Sequence, residues 1–271
     1  MRYPAVAGQF YEADPDALRA QVEGCYTHRI GPGKVPRREK GPRKIRGLLC
    51  PHAGLMYSGP VAAHSYAALA ADGWPDHIVL FGPNHTGNGA PVALATSDFQ
   101  TPLGVARIDQ ALAAKVTGRG PIEPDLVAHR REHSLEVQLP FLLHLNPEAT
   151  FLPICLGLQE YDVAMEVGRI VGEALQGKDA LVIASTDFSH YIPPEEAARQ
   201  DRLVLDPILR LDAKAFYRAK TQHDVSMCGY GPVMAMMAAV GSGSATLLKY
   251  ATSGDVSPMR EVVGYAAVVV R

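Results

Sequence analysis

Apolar residues fall along this chain in short, nearly continuous runs separated by segments of helical period. The runs GLLC (Gly47–Cys50), HIVLFG (His77–Gly82) and ALVIAS (Ala180–Ser185) lack polar alternation, the pattern of strands covered on both faces. Pro91–Ala95 and Phe151–Leu156 read the same way, and Thr246–Ala251 and Val262–Val270 close the chain as two strands able to form a hairpin. Between the runs, Val61, Ala62, Ser65 and Leu69 share one face of a helix predicted from Ser58 to about Asp72, with Gly73 at its end. Leu135, Leu139, Leu142 and Leu143 predict a helix over Glu132–Leu145, stopped before Pro147. Asp109–Val116, Tyr161–Leu175, Pro194–Leu209, Asp212–Ala219 and the Met-rich Gly231–Ala239 are further predicted helices. Strands alternating with helices predict one α/β domain over residues 1–271, with a mixed, mostly parallel sheet and helices on both faces.

Composition narrows the class without changing it. Apolar residues make up 47% and charged residues 20% of 271 positions, ordinary values for a chain that buries a large core. Lys plus Arg number 26 against 28 Asp plus Glu, so charge offers nucleic acid no general attraction. No apolar run approaches the ~18 residues of a membrane span, and the N-terminus turns acidic too early for a secretory leader; the expected location is cytoplasmic. Gly31–Arg46 carries Lys34, Arg37, Arg38, Lys40, Arg43, Lys44 and Arg46 against Glu39, broken by three prolines and three glycines. It reads as a solvated surface loop, with an anion-binding patch as the other reading. Cys25, Cys50, Cys155 and Cys228 form no CxxC pair, and the first three read as small buried hydrophobes.

Candidate chemistry collects where strands end. In open α/β sheets ligands sit beyond the carboxyl ends of the strands. GLLC runs into PHAG and presents His52; HIVLFG runs into PNHTG and presents His85; ALVIAS runs into TDFSHY and presents Asp187 and His190. Imidazole is the commonest protein ligand for transition metals, and His52 with His85 after equivalent strands reads as a metal pair. Cys228 opens CGYGPV at the mouth of the Met-rich helix. There a helix N-terminus would lower the thiol pKa; ligand, nucleophile and inert buried thiol all stay open. His133 and Glu136, three apart on the predicted helix, read as a metal, outer-contact or substrate pair. Tyr57 and Tyr191 flank two motifs and either bind substrate or pack. The remaining histidines read as surface or structural.

Taken together, RYPAVAGQFYEAD (2–14), PHAGLMYSGPVAAHSYAAL (51–69), GPNHTG (82–87), EHSLEVQLPFL (132–142), STDFSHY (185–191), CGYGPV (228–233), YATSGD (250–255) and VGYAA (263–267) resemble the Memo family, whose bacterial and archaeal members include the B component of the AmmeMemoRadiSam system. That family is similar to class III extradiol dioxygenases, non-haem iron enzymes in which two histidines and a carboxylate hold Fe(II) and another histidine acts as acid/base. The resemblance places the metal histidines at His52 and His85, the acid/base at His190 with Asp187 beside it, and the carboxylate ligand's position at Cys228. A thiolate there is softer and suits iron, copper or zinc. The resemblance therefore implies an Fe(II)-dependent, dioxygenase-like oxidoreductase acting on a small molecule, with His133, Glu136, Tyr57 and Tyr191 lining the pocket. It also implies a second class, a peptide-binding or scaffold protein with a radical-SAM or peptide partner, in which Arg37, Arg38, Arg43 and Lys44 meet an anion. A third reading is a hydrolase with Cys228 as nucleophile and His190 as base.

Overall fold

A computed structural model describes residues 1–271. Its eleven strands are β1 (Gly47–Cys50), β2 (His77–Pro83), β3 (Val92–Leu94), β4 (Phe99–Thr101), β5 (Gly104–Ile108), β6 (Glu123–Pro124), β7 (Thr150–Leu156), β8 (Ala180–Ser185), β9 (His190–Ile192), β10 (Ala245–Thr252) and β11 (Val262–Val270). The main path runs β10-β11-β1-β8-β2-β7-β3-β6. Neighbours among β1, β8, β2 and β7 at its centre pair in parallel, while β10–β11, β11–β1 and β7–β3 are antiparallel. Every residue of β1 is buried, and every residue of β2 and β8 after the first. Successive side chains point to opposite faces, so both faces are covered.

The covering helices are α1 (Pro15–Thr27), α2 (Leu55–Asp72), α3 (Gln110–Val116), α4 (Leu139–Leu145), α5 (Tyr161–Leu175), α6 (Pro194–Leu209), α7 (Ala213–Gln222), α8 (Tyr230–Val240) and the short α9 (Ser253–Val256). α2 packs on β1, β10 and β11 with α1 and α4 beside it; α8 packs on β1, β2 and β8 with α5 beside it. One core of 72 buried apolar residues joins these layers.

Three departures from the sequence expectations have local causes. α1 was not among the predicted helices, although Asp14 caps it by accepting Asp16 N–H and Ala17 N–H, with Pro15 in the first turn. α2 begins at Leu55 rather than Ser58, because the Leu55 N–H is taken by the Phe10 carbonyl. The predicted helix over Glu132–Leu145 exists only as a 3-10 turn, Glu136–Gln138, leading into α4. Glu132 accepts the N–H groups of His133 and Ser134 with its own side chain, an alternative to helical bonding that holds this stretch open.

Glu136 is fully buried and does not line the cavity described below; this corrects its expected role as a substrate contact. Its carboxylate pairs with Arg2 and accepts Ala5 N–H, Val6 N–H and the Tyr11 hydroxyl. Arg2 in turn donates to the carbonyls of His129 and Glu132. This cluster staples residues 2–11 to the loop before α4. Breaking one side of a buried ion pair strands the other charge. Glu136→Gln is expected to lower unfolding stability by about 3 kcal/mol in urea titrations; a loss below 0.5 kcal/mol would show that the pair contributes nothing.

His129 is buried, its Nε2–H directed at the Ala93 carbonyl. Burial, helped by the Arg2 charge, lowers its pKa to about 4. The neutral form is favoured in the fold, so this contribution is complete above pH 6.5 and is lost as pH falls from 6.5 to about 4. His129→Gln is expected to flatten the decline in stability over that window, read as denaturation midpoints at closely spaced pH values.

Candidate metal centre

Because β1, β2 and β8 are parallel, their carboxyl ends share one edge, and the three strand exits meet there. Pro51 ends β1, and the next residue, His52, donates its N–H to Asp187 Oδ1 at 2.8 Å. After β2 the Asn84 side chain shapes the turn that carries His85, accepting from Thr86 N–H, Thr86 Oγ1 and Gly87 N–H. Cys228 comes from the loop before α8. That loop lies so close to β8 that a Cβ on Gly229 would stand 2.5 Å from the Ser185 carbonyl oxygen. Gln159 clamps the same loop from both sides, donating to the Cys228 carbonyl and accepting from Gly231 N–H.

His52, His85 and Cys228 thereby converge, with one ligand atom from each within 4.8 Å of the others. Cys228 Sγ lies 3.3 Å from His52 Nε2. Metal bonds of about 2.0–2.3 Å in a tetrahedral site require ligand separations of roughly 3.3–3.6 Å, so the donor set fits a transition metal. A second grouping, His85, Glu132 and His133, has no such capacity to spare. Glu132 Oε1 already takes His85 Nδ1–H, His133 N–H and Ser134 N–H, and Oε2 takes His85 N–H. It supports His85.

Hydrogen bonding fixes the tautomers. Gln138 Nε2 points at the Pro51 carbonyl, which can only accept, so this atom is the amide donor and Oε1 accepts the Tyr66 hydroxyl. Gln138 also donates to Ser185 Oγ, whose single proton goes to the Ser134 carbonyl. Ser185 therefore meets His52 Nδ1, 2.8 Å away, as an acceptor, and Nδ1 carries the proton. His85 Nδ1–H likewise faces the Glu132 carboxylate at 2.9 Å, and His190 Nδ1–H faces the Ser226 carbonyl at 2.8 Å. In all three rings the lone pair therefore lies on Nε2, and that of His52 faces Cys228 Sγ.

Electrostatics agree with a cation-seeking pocket. Burial, then the neighbouring His85, His133 and His190, push His52 well below the usual histidine range. Burial likewise lowers His133 to about 4. Burial alone would raise Glu132, but the hydrogen bond and charge of His85, the charge of His133 and Ser134 N–H outweigh it and hold the carboxyl at about 2. Burial, then the Asp187 charge, raise the Cys228 thiol well above its ordinary value. This corrects the expectation that the helix N-terminus activates it. Without a cation the sulfur keeps its proton, although Asp187 N–H points at it from 3.2 Å.

Above the cluster opens a cavity of about 560 Å³, lined in part by His52, His85, His133, Asp187, His190, Tyr57 and Tyr191. Asp187 is buried against His52 and makes no hydrogen bond to His190, which is oriented by Ser226 through both its N–H and its Nδ1. The expected Asp187–His190 partnership is therefore replaced by a Ser226–His190 one. Neither is His190 the group against Cys228; His52 is, which removes the geometry a Cys228/His190 hydrolase needs. In the basic loop, Arg43 is bound by Asp72 and Asp179, and Arg38 lies over the Trp74 ring. Glu132, Ser185, Gln138 and Gln159 were not singled out from sequence as functional. Glu132 adjoins His133 and Ser185 ends the strand that leads to Asp187, while nothing in the sequence marks Gln138 or Gln159.

Fold and site define a class: an α/β protein with a parallel-centred sheet and a His/His/Cys cluster at the strand exits. A family model described as Memo-like protein matches residues 2–269, and the chain belongs to the Memo family. It is 46% identical over 279 residues to a MEMO1 family protein of Methanopyrus kandleri, covering 100% of this chain and 99% of that one. A MEMO1 family protein of Methanothermobacter thermautotrophicus is also 46% identical, over 274 residues, covering 98% and 99%. The crystal structure of an uncharacterized protein from Escherichia coli K12 shares the fold, with a TM-score of 0.50 at 13% identity over 82% of this chain and 99% of that one.

Ser185→Ala removes the acceptor that holds His52 Nδ1–H. Loss of such a partner typically costs 10–100-fold in metal affinity, and a loss in that range is expected from chelator competition. Unchanged affinity would show that Ser185 does not orient the ring.

Proposed function

We propose that the protein is a metal-dependent oxidoreductase acting on a small organic molecule. His52 and His85 hold one transition metal through Nε2 and Cys228 holds it through Sγ, with Fe(II) favoured over copper or zinc. The observation that carries this reading is the convergence of two Nε2 lone pairs and one thiol beneath a cavity of about 560 Å³. A buried thiol whose proton is hard to lose in isolation loses it readily to a bound cation. The metal, when bound, supplies redox chemistry and a positive centre for an oxygen donor of the substrate.

The chain's own residues do the rest. His190 faces the cavity with Nδ1–H held by Ser226, so its Nε2 is the atom placed to take a proton from bound substrate and return it to product. Ser226 also accepts His190 N–H through Oγ, fixing the backbone that carries the ring. Glu132 keeps His85 in the ligating tautomer. His133 stacks on the His85 ring at 4.5 Å and Phe10 packs edge-on against His133 at 4.8 Å, which limits the swing of both imidazoles. No helix is long and apolar enough to cross a membrane.

Anaerobic Fe(II) loading followed by desalting tests the reading. The parent should retain about one iron per chain and His85→Ala less than a tenth of that. His190→Ala should keep its iron and lose at least 100-fold in any turnover found, the typical worth of a positioned acid/base. Equal iron in the parent and His85→Ala would refute the site, and full turnover in His190→Ala would refute the proton role.

A further inference from the structure

The cavity walls have a consistent charge. Of the 17 residues that line it, none is Lys or Arg, while two, Asp187 and Glu261, are acidic. Its walls away from the histidines are aromatic or sulfur-bearing: Phe10, Tyr57, Tyr191, Tyr265 and two methionines. Such surfaces favour flat apolar rings and, through their π-faces, cations. An anionic group far from the metal would meet Glu261 and no compensating side chain.

Glu261 and Tyr191 lie together. Glu261 immediately precedes β11, whose Val262 pairs with Ile192 of β9, the residue after Tyr191. The Glu261 carboxylate forms no ion pair within the chain, in contrast to Glu132 and Glu136. Tyr191 holds a φ of +55°, in the left-handed region that a bulky side chain disfavours. Its side chain is 73% exposed, so burial does not hold it there. Pairing of the flanking His190 and Ile192 with β11 imposes the conformation and sets the ring at the mouth of the cavity.

We propose that the ligand of this cavity is an aromatic molecule with a hydroxyl donor at the metal end and an ammonium at the other, received by Glu261 and the Tyr191 ring. The proposal takes the metal end from the reading above and derives the tail from the opposite wall alone. A phosphate or carboxylate tail meets repulsion at the same wall.

Matched probes isolate the tail. Tyramine, 4-hydroxyphenylacetate and 4-hydroxybenzylphosphonate, alike at the phenol end, are titrated into the full-length, metal-free protein by calorimetry at low salt, with and without Glu261→Gln. An exposed ion pair is worth up to about fivefold and the reversed repulsion a similar factor. Tyramine should therefore bind at least fivefold more tightly than either anion, and Glu261→Gln should reduce that preference below twofold. Equal or tighter binding of an anion, binding of none of the three, or a preference that survives Glu261→Gln would overturn the proposal. Retained metal is measured separately on the same preparations. A preference for tyramine without metal retention refutes the metal reading alone, and metal retention without the preference refutes the tail alone.

Discussion

Three imidazoles in this molecule have their Nδ1 protons tied to groups that meet them as acceptors: Ser185 Oγ for His52, the Glu132 carboxylate for His85, and the Ser226 carbonyl for His190. The site depends on that constraint. A histidine free to change tautomer would offer a metal a lone pair part of the time and an N–H the rest. Here the choice is made by partners whose own protons are already committed, Ser185 to the Ser134 carbonyl and Gln138 to Ser185 and the Pro51 carbonyl. Ser185 ends β8, Glu132 and Gln138 lie in the stretch before α4, and Ser226 lies in the loop before α8. The parallel centre of the sheet thus fixes the positions of the rings and the direction of their lone pairs together.

The N-terminal segment belongs to the same construction. Arg2 and Glu136 pair out of water, and a pair so buried adds little net stability in itself. It does specify where residues 2–11 lie. Phe10 then reaches His133, and its carbonyl receives the first N–H of α2. One wall of the cavity is therefore supplied by a segment with almost no regular structure, held by charge and backbone bonds rather than by a helix or strand of its own.

The sequence was most informative where the physics is local. β1, β8, β11, α5 and α6 match their predicted limits, since continuous apolar runs and a 3.6-residue period speak for themselves. His52, His85 and His190 were legible because a strand, a stop and a histidine recur in the same order. Less legible was whatever depends on distant partners. Glu136 looked like a neighbour of His133 on a helix; the Glu132 side chain breaks that helix, and Arg2 draws Glu136 the other way. Asp187 stands three residues before His190 yet contacts His52, because the β1 and β8 exits are adjacent in space. The Cys228 thiol looked activated by a helix terminus, but burial and the Asp187 charge outweigh a dipole that acts only over the first turn.

The most direct test of the central claim is the X-ray absorption spectrum of the metal-loaded protein, recorded with Fe(II) and with Zn(II). The account predicts one sulfur at about 2.3 Å and two imidazole nitrogens at about 2.0–2.1 Å from zinc, with the same ligand types around iron. A shell without sulfur, or with fewer than two imidazoles, would contradict it.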